Sequence, residues 1–340
     1  MKKIVLFVVS LLICFSCQKK GNDTVSLKID CRLTGEVLLA GGNHCRFHDL
    51  AIVGDYYIFL SNQGDTLISV YSRHDMSFIG AGMQEGEPSV RLYPSFVHYN
   101  YAEREEKNRI SVWNNTLRRI DQYDLRKTDD TVFTPVASTS FDKKMIESRF
   151  PLITEEETYA VGLTPNPGTI FFSFHPRTGF YHVPAYPLIP HLDYRRTRSN
   201  PHASAICVNE EKGVIVAAAR YINIVNFYDL NGDMIKPMPY GDSFIFPEFD
   251  PSGEVHNVEK SVKCFLDITC SMNYIYCLYD GSSNYSTLST ILVFNWEGMH
   301  IRNLQVDRSI RNLQVDADDH YLITLAENEE EGRDVVRYKL

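Results

Sequence analysis

Apolar residues along this chain fall in short runs, each closed by a polar turn, and one run shows the unit most clearly. In Ile222-Asn-Ile-Val-Asn-Phe-Tyr-Asp-Leu-Asn-Gly-Asp-Met234, the residues Ile222, Ile224, Val225 and Phe227 suit a buried strand. Asn231-Gly232 then signals a tight hairpin turn. The unit recurs. An aromatic that closes a strand and leads into a polar turn stands at Tyr71, Tyr123, Phe174, Tyr228 and Phe294, with Tyr338 in register near the end. The intervals are 52, 51, 54, 66 and 44 residues. Four strand-like runs accompany each of the first five aromatics, as in His202–Val208, Gly213–Ala219, Ile222–Tyr228 and Met234–Met238. The least regular set begins with Phe150–Ile153.

No long helix-period segment and no low-complexity linker interrupts this order. Six phased units of about fifty residues predict an all-β fold, a six-bladed β-propeller of four-stranded antiparallel blades. The last unit supplies three runs only: Ile310–Val315, Tyr321–Leu325 and Val335–Tyr338. Val25–Cys31 is an unassigned strand at the other end. Its pairing with the C-terminal blade would close the ring and cover the exposed sheet edges. The heptapeptide Ile301-Arg-Asn-Leu-Gln-Val-Asp307 repeats at Ile310–Asp316. Leu304–Ser309 are needed to cross between blades at about 3.3 Å per residue, so only the second copy is expected to form a full strand.

The first residues divide differently. Met1-Lys2-Lys3 is a positive start, Ile4–Phe15 is an apolar run too short to span a bilayer comfortably, and Ser16-Cys17 precedes a polar stretch. Residues 1–17 therefore read as a lipoprotein signal ending at a lipidated Cys17, 18–24 as a tether and 25–340 as the propeller domain. At the third position before Cys17 stands Cys14, where such signals usually carry Leu.

Composition narrows the function classes. The formal charge of −9 becomes −11 once Lys2 and Lys3 are removed, with 43 acidic residues in the chain. That balance argues against nucleic-acid binding, which rests on neutralising phosphates. An exported setting permits disulfides among Cys31, Cys45, Cys207, Cys264, Cys270 and Cys277. Proximity favours Cys31 with Cys45, and the mid-strand positions suit small buried side chains equally well.

The leader, together with Ile79-Gly-Ala-Gly-Met-Gln-Glu-Gly-Glu-Pro88, His202-Ala-Ser-Ala-Ile206 and Tyr228-Asp-Leu-Asn-Gly232, resembles the TolB-like six-bladed β-propeller lipoproteins of Bacteroidota. The resemblance covers essentially the whole mature chain. It implies the fold and an exported, membrane-anchored setting in the cell envelope, at the outer membrane on its periplasmic or surface face. It supplies no catalytic residue. A binding or assembly role for a protein or glycan partner is implied by analogy with related propellers.

Local motifs add little chemistry. Gly80-Ala-Gly82 lacks the third glycine and the helix of a dinucleotide site and reads as a loop. Gly241-Asp-Ser243 lacks the strand-to-helix turn of a hydrolase elbow and reads as an inter-blade connection. No zinc spacing or calcium loop is present, so no cofactor is expected. Asp193-Tyr-Arg-Arg-Thr-Arg198 is a compact basic cluster, and Glu327–Glu330 reads as its acidic counterpart on a solvated turn. Ligands of propellers meet the loops entering the innermost strands. On that rule His48, Asp49 and His202 are candidate binding residues, together with Pro94-Ser95 and Ser309. A monomeric, non-catalytic binding module follows. The alternative is a metal-dependent lactonase- or lyase-like propeller, which requires Asp49, His48, His202 and Asp267 to approach one point.

Overall fold

Runs such as Val214-Ile-Val-Ala-Ala-Ala219 are apolar at every position, so a sheet built from them must be covered on both faces. Blades packed face to face meet that requirement. The computed structural model of the chain describes residues 25–41, 47–61, 66–84, 94–96, 108–114, 116–126, 132–140, 160–162, 166–175, 179–329 and 332–340.

The N-terminal segment holds β1 (Cys31–Leu33) and β2 (Glu36–Leu39). Blade one comprises β3 (Phe47–Val53), β4 (Tyr56–Ser61), β5 (Thr66–Ser72) and β6 (Phe78–Gln84). Blade two comprises β7 (Pro94–Phe96), β8 (Arg109–Asn114), β9 (Arg119–Asp124) and, after the short β10 (Val132–Phe133), β11 (Pro135–Ser140). Blade three contributes β12 (Ala160–Gly162), β13 (Thr169–His175) and β14 (Gly179–Pro184). The expected strand Phe150–Ile153 lies outside the described residues, as do the leader, Cys17 and the tether. Blade four has β15 (Ser204–Asn209), β16 (Val214–Ala219), β17 (Ile224–Asp229) and β18 (Met234–Pro239). Blade five has β19 (Lys263–Cys270), β20 (Tyr274–Ser282), β21 (Thr290–Asn295) and β22 (His300–Val306). Blade six has β23 (Ile310–Val315), β24 (Tyr321–Glu327) and β25 (Arg333–Lys339).

Six sheets result among the described residues. The core lies between blades rather than in one central mass. Separate apolar layers join blades three and four through Phe171, Ile206 and Tyr228, and four and five through Phe227, Phe265 and Phe294. Leu304, Leu313 and Tyr338 join five and six, Phe59 and Leu325 join six and one, and Ile58, Phe96 and Tyr123 join one and two. Strands β15 and β16 are buried along their whole length, whereas β11 is exposed along its whole length at a blade rim.

Ring closure uses an N-terminal strand, but not the expected one. The closing strand is β2, antiparallel to β25, with Glu36 opposite Arg337 and their side chains ion-paired at 2.7 Å. Gly35 enters this strand so close to Val336 and Tyr338 that a Cβ there would collide with both. Val25–Cys31 instead runs along the outside. Val25 bridges Tyr240 beside blade four, and β1 pairs parallel with β22 of blade five. With β2 on blade six, the N-terminal segment thus touches three blades in turn. A second correction concerns Gly80-Ala-Gly82, which lies within outer strand β6 rather than in a loop; Ala81 and Gly82 pair with β10 in parallel.

Both copies of the heptapeptide form strands, contrary to expectation. The first lies in outer strand β22 and the second in inner strand β23. The crossing is short because Ser289, fully buried, clasps it. Its carbonyl accepts from Val306 N at 3.1 Å, its N–H donates to Arg308 O at 3.4 Å, and its hydroxyl accepts from Ile310 N at 3.0 Å. Position decides what each copy does. Asn303 donates to the carbonyls of Ser26 and Lys28 and so fastens the N-terminal segment. Asn312 donates to Asp267 Oδ2 at 3.2 Å inside the ring.

Candidate functional site

In an antiparallel four-stranded blade the chain leaves the outer strand at the face where the next inner strand begins. The described inter-blade connections therefore gather on that one face, which we call the upper face. Three of its inner strands share a local irregularity. Phe47-His48-Asp49, Phe265-Leu266-Asp267 and Ile310-Arg311-Asn312 each oppose only two residues of the neighbouring strand, so His48, Leu266 and Arg311 are bulged at equivalent steps. Bulges re-aim side chains. Here they turn His48 and Arg311, on adjacent blades one and six, out of the regular alternation.

The residue after each bulge ties blade to blade. Asp49 Oδ2 accepts from Phe96 N of blade two at 3.2 Å, and its Oδ1 accepts from Leu50 N at 3.0 Å. Asp267 Oδ2 accepts from Leu313 N of blade six at 3.2 Å as well as from Asn312. Thr269 follows suit, donating to Gln314 Oε1 at 3.0 Å. Asp49 and Asp267 are buried, so these charge-assisted bonds form seams between inner strands.

His202 lies elsewhere. It precedes β15 of blade four and is fully buried, with Nε2 2.9 Å from the Tyr194 hydroxyl. Burial holds its imidazole down to about 4, so it is neutral at ordinary pH. Among the described residues no three His, Cys, Asp or Glu side chains converge as a metal-binding group, and Asp49, His48, His202 and Asp267 form no such cluster. Cys31 is an exposed free thiol, and Cys45 lies outside the described residues.

The two long connections 185–203 and 240–262 pack against each other on the upper face. Arg196 and Arg198 of the basic cluster both reach Glu254, at 2.5 and 3.1 Å. Arg198 N donates to Glu254 O, and His256 N donates to Ser199 Oγ at 3.3 Å. Asn223 Nδ2 donates to Tyr240 O and Ser243 O, which fixes the Gly241-Asp-Ser243 stretch as a connection. Below them Ile189, Ile222 and Ile224 are buried with Phe244, Phe246 and Phe249 packed on them.

Glu327, read from the sequence as part of a solvated acidic turn, instead anchors a charged group that borders the mouth between blades five, six and one. Glu327 Oε1 accepts from Arg311 Nε at 2.7 Å and from Arg333 Nε at 3.4 Å. Arg333 also donates to Phe47 O at 2.8 Å. The Arg311 guanidinium lies 3.6 Å over the Tyr285 ring, and Lys263 Nζ lies 5.5 Å from the same ring. Lys263 is buried and donates to the carbonyls of Val258, Glu259 and Ser283. Burial alone would raise the Glu327 carboxyl, but the two arginines outweigh it and hold it below the usual carboxylate range. The pairing of Glu327 with Arg333 across the β24–β25 hairpin could have been read from the register. Arg311 joins them only because of its bulge, which leaves no sequence signal.

Among curated proteins, none matches the chain. Among solved structures, a member of the DUF4221 family from Bacteroides vulgatus ATCC 8482 superposes with a TM-score of 0.58 at 12% identity, covering 90% of this chain and 97% of that one. A putative exported protein from Bacteroides fragilis NCTC 9343 gives 0.54 at 10% identity, covering 93% and 98%. At such identities the likeness speaks for the fold. Residues 49–318 match the family described as TolB-like 6-blade propeller-like, and the chain, whose described residues form six sheets, belongs to that family.

Proposed function

We propose that this chain is an exported propeller, held on the cell envelope by a lipid on Cys17, that binds a protein or glycan partner on its upper face without performing chemistry on it. The observation that carries the reading is the fastening of connections 185–203 and 240–262 to one another through Glu254, Arg196, Arg198, His256 and Ser199. Loops already fixed in place lose less conformational freedom on binding, which favours recognition. The carboxylates of Asp49 and Asp267 are engaged by backbone donors, a use that suits a scaffold better than acid–base work. The leader sequence and the description of the Bacteroides fragilis neighbour as a putative exported protein support the envelope setting.

The test is affinity capture from detergent-solubilised envelopes, run in parallel with the wild-type chain and Glu254→Ala, which unpins the two connections. A partner retained by wild type and lost by the variant supports the reading; equal retention refutes the assignment to this face. Cys17→Ala should move the protein from the membrane fraction to the soluble fraction, and an unchanged distribution would rule out the anchor.

A further inference from the structure

We propose that the mouth between blades five, six and one is an anion site that takes one carboxylate or phosphate group on the guanidinium fork of Arg311 and Arg333. This rests on the upper face being the binding face and names the ligand chemistry there.

Three observations carry it. The first is charge. Arg311 and Arg333 share the single carboxylate of Glu327, and Lys263 adds a further cation whose bonds are all to carbonyl oxygens. Among the described residues two arginines thus share one carboxylate beside a third cation, while Glu330 and Glu331 of the same hairpin lie outside those residues. Burial pulls the Arg333 guanidinium below its ordinary value; the Glu327 charge opposes that pull and the Arg311 charge adds to it.

The second is orientation. Arg311 is the bulged residue of β23, and its guanidinium is laid flat on Tyr285 at 3.6 Å instead of ranging through solvent. Glu327 fixes its Nε edge, while its buried Nη1 has no hydrogen-bond partner among the described residues. A guanidinium pinned in this way presents its remaining N–H groups in a planar fork, the geometry that matches carboxylate and phosphate oxygens. The third is access. The side chains of Arg311, Arg333 and Glu327 are 19, 27 and 37% exposed, so the group is half-buried, and a ligand meets the outer edge of the fork before the enclosed Nη1 of Arg311.

The experiment titrates the purified mature chain with inorganic phosphate, with glucuronate and with glucose at constant ionic strength, reading heat of binding and thermal midpoint. Wild type should show saturable one-site binding and a raised midpoint with phosphate or glucuronate, and neither with glucose. Response to phosphate alone assigns a phosphate monoester, and response to glucuronate alone assigns an acidic sugar or other carboxylate. Arg311→Gln and Arg333→Gln should each weaken binding at least about tenfold, the loss of one charge-assisted hydrogen bond. Arg311→Lys keeps the charge without the fork and should also bind more weakly, which separates recognition from misfolding. Arg196→Gln, on the other side of the face, should bind like wild type.

No saturable response to either anion in folded wild type overturns the proposal. So does undiminished binding by Arg311→Gln and Arg333→Gln. Because these titrations need no envelope partner, their failure leaves the capture result with Glu254→Ala standing. Conversely, a failed capture leaves a measured anion site intact.

Discussion

Removing the Asp267 carboxylate tests whether the inner strands are held to one another by side chains as well as by apolar layers. Asp267 is 1% exposed and accepts two hydrogen bonds from blade six, from Asn312 Nδ2 and Leu313 N, both at 3.2 Å. In Asp267→Ala both donors stay buried and lose this acceptor. Each such group costs about 1–3 kcal/mol, so the variant should lose roughly 2–6 kcal/mol. Asp267→Asn keeps one acceptor oxygen and should fall well short of that loss. Urea unfolding followed by tryptophan fluorescence measures the difference, provided the transition is shown to be two-state by a second probe. Asp49→Ala disturbs a different seam, so the double variant should be close to additive. A loss below about 0.5 kcal/mol in Asp267→Ala would show that the apolar layers alone set the ring, and the seam argument would fall.

Acid should weaken the fold before the carboxylates titrate. Burial holds His202 and His256 at about 4 against 6.5 when unfolded, the latter helped by the Lys263 charge. The unfolded chain binds more protons in that window, so their contribution is complete above about 6.5 and is lost as pH falls toward 4, roughly 3 kcal/mol for each group. Stability curves at pH 7.5 and 5 for wild type and His202→Gln check this, and a variant as pH-sensitive as wild type would contradict it. Burial pushes the thiols of Cys207, Cys264 and Cys277 upward, so a thiol reagent at pH 8 should label them only after denaturation; peptide mapping that finds them labelled in the native protein would count against their placement. Asn303→Ala removes the bonds to Ser26 and Lys28 and should expose 25–33 to limited proteolysis, whereas Asn312→Ala should lower global stability without new cleavage there.

The phased aromatics were legible because each has the same physical task. Tyr123, Tyr228, Phe294 and Tyr338 close third strands and are buried against a neighbouring blade, as in the 5.1 Å edge contact of Phe171 with Tyr228. That burial repeats with the blade, so it repeats in the sequence. The closing strand was not legible. Val25-Ser-Leu-Lys-Ile alternates better than Glu36-Val-Leu-Leu, yet only the latter follows glycine at a point where backbone must pass close to Tyr338. Local pattern reports what a segment can form, and the choice of partner was made by distant residues. The heptapeptide makes the same point, since identical residues became a rim strand and an inner strand. The upper-face charge group was hidden for a related reason. Arg311 and Glu327 are 16 residues apart and meet through a bulge, which composition does not announce.

The route of the N-terminal segment has a mechanical consequence. Its first described contact is the single bridge from Val25 to Tyr240, followed by three register pairs of β1 with β22 and then the closing pairs of β2 with β25. A pull applied at the amino terminus would meet these attachments one after another, like stitches along a hem. Tugging would undo the outermost two before any load reached the strand that keeps the circle shut.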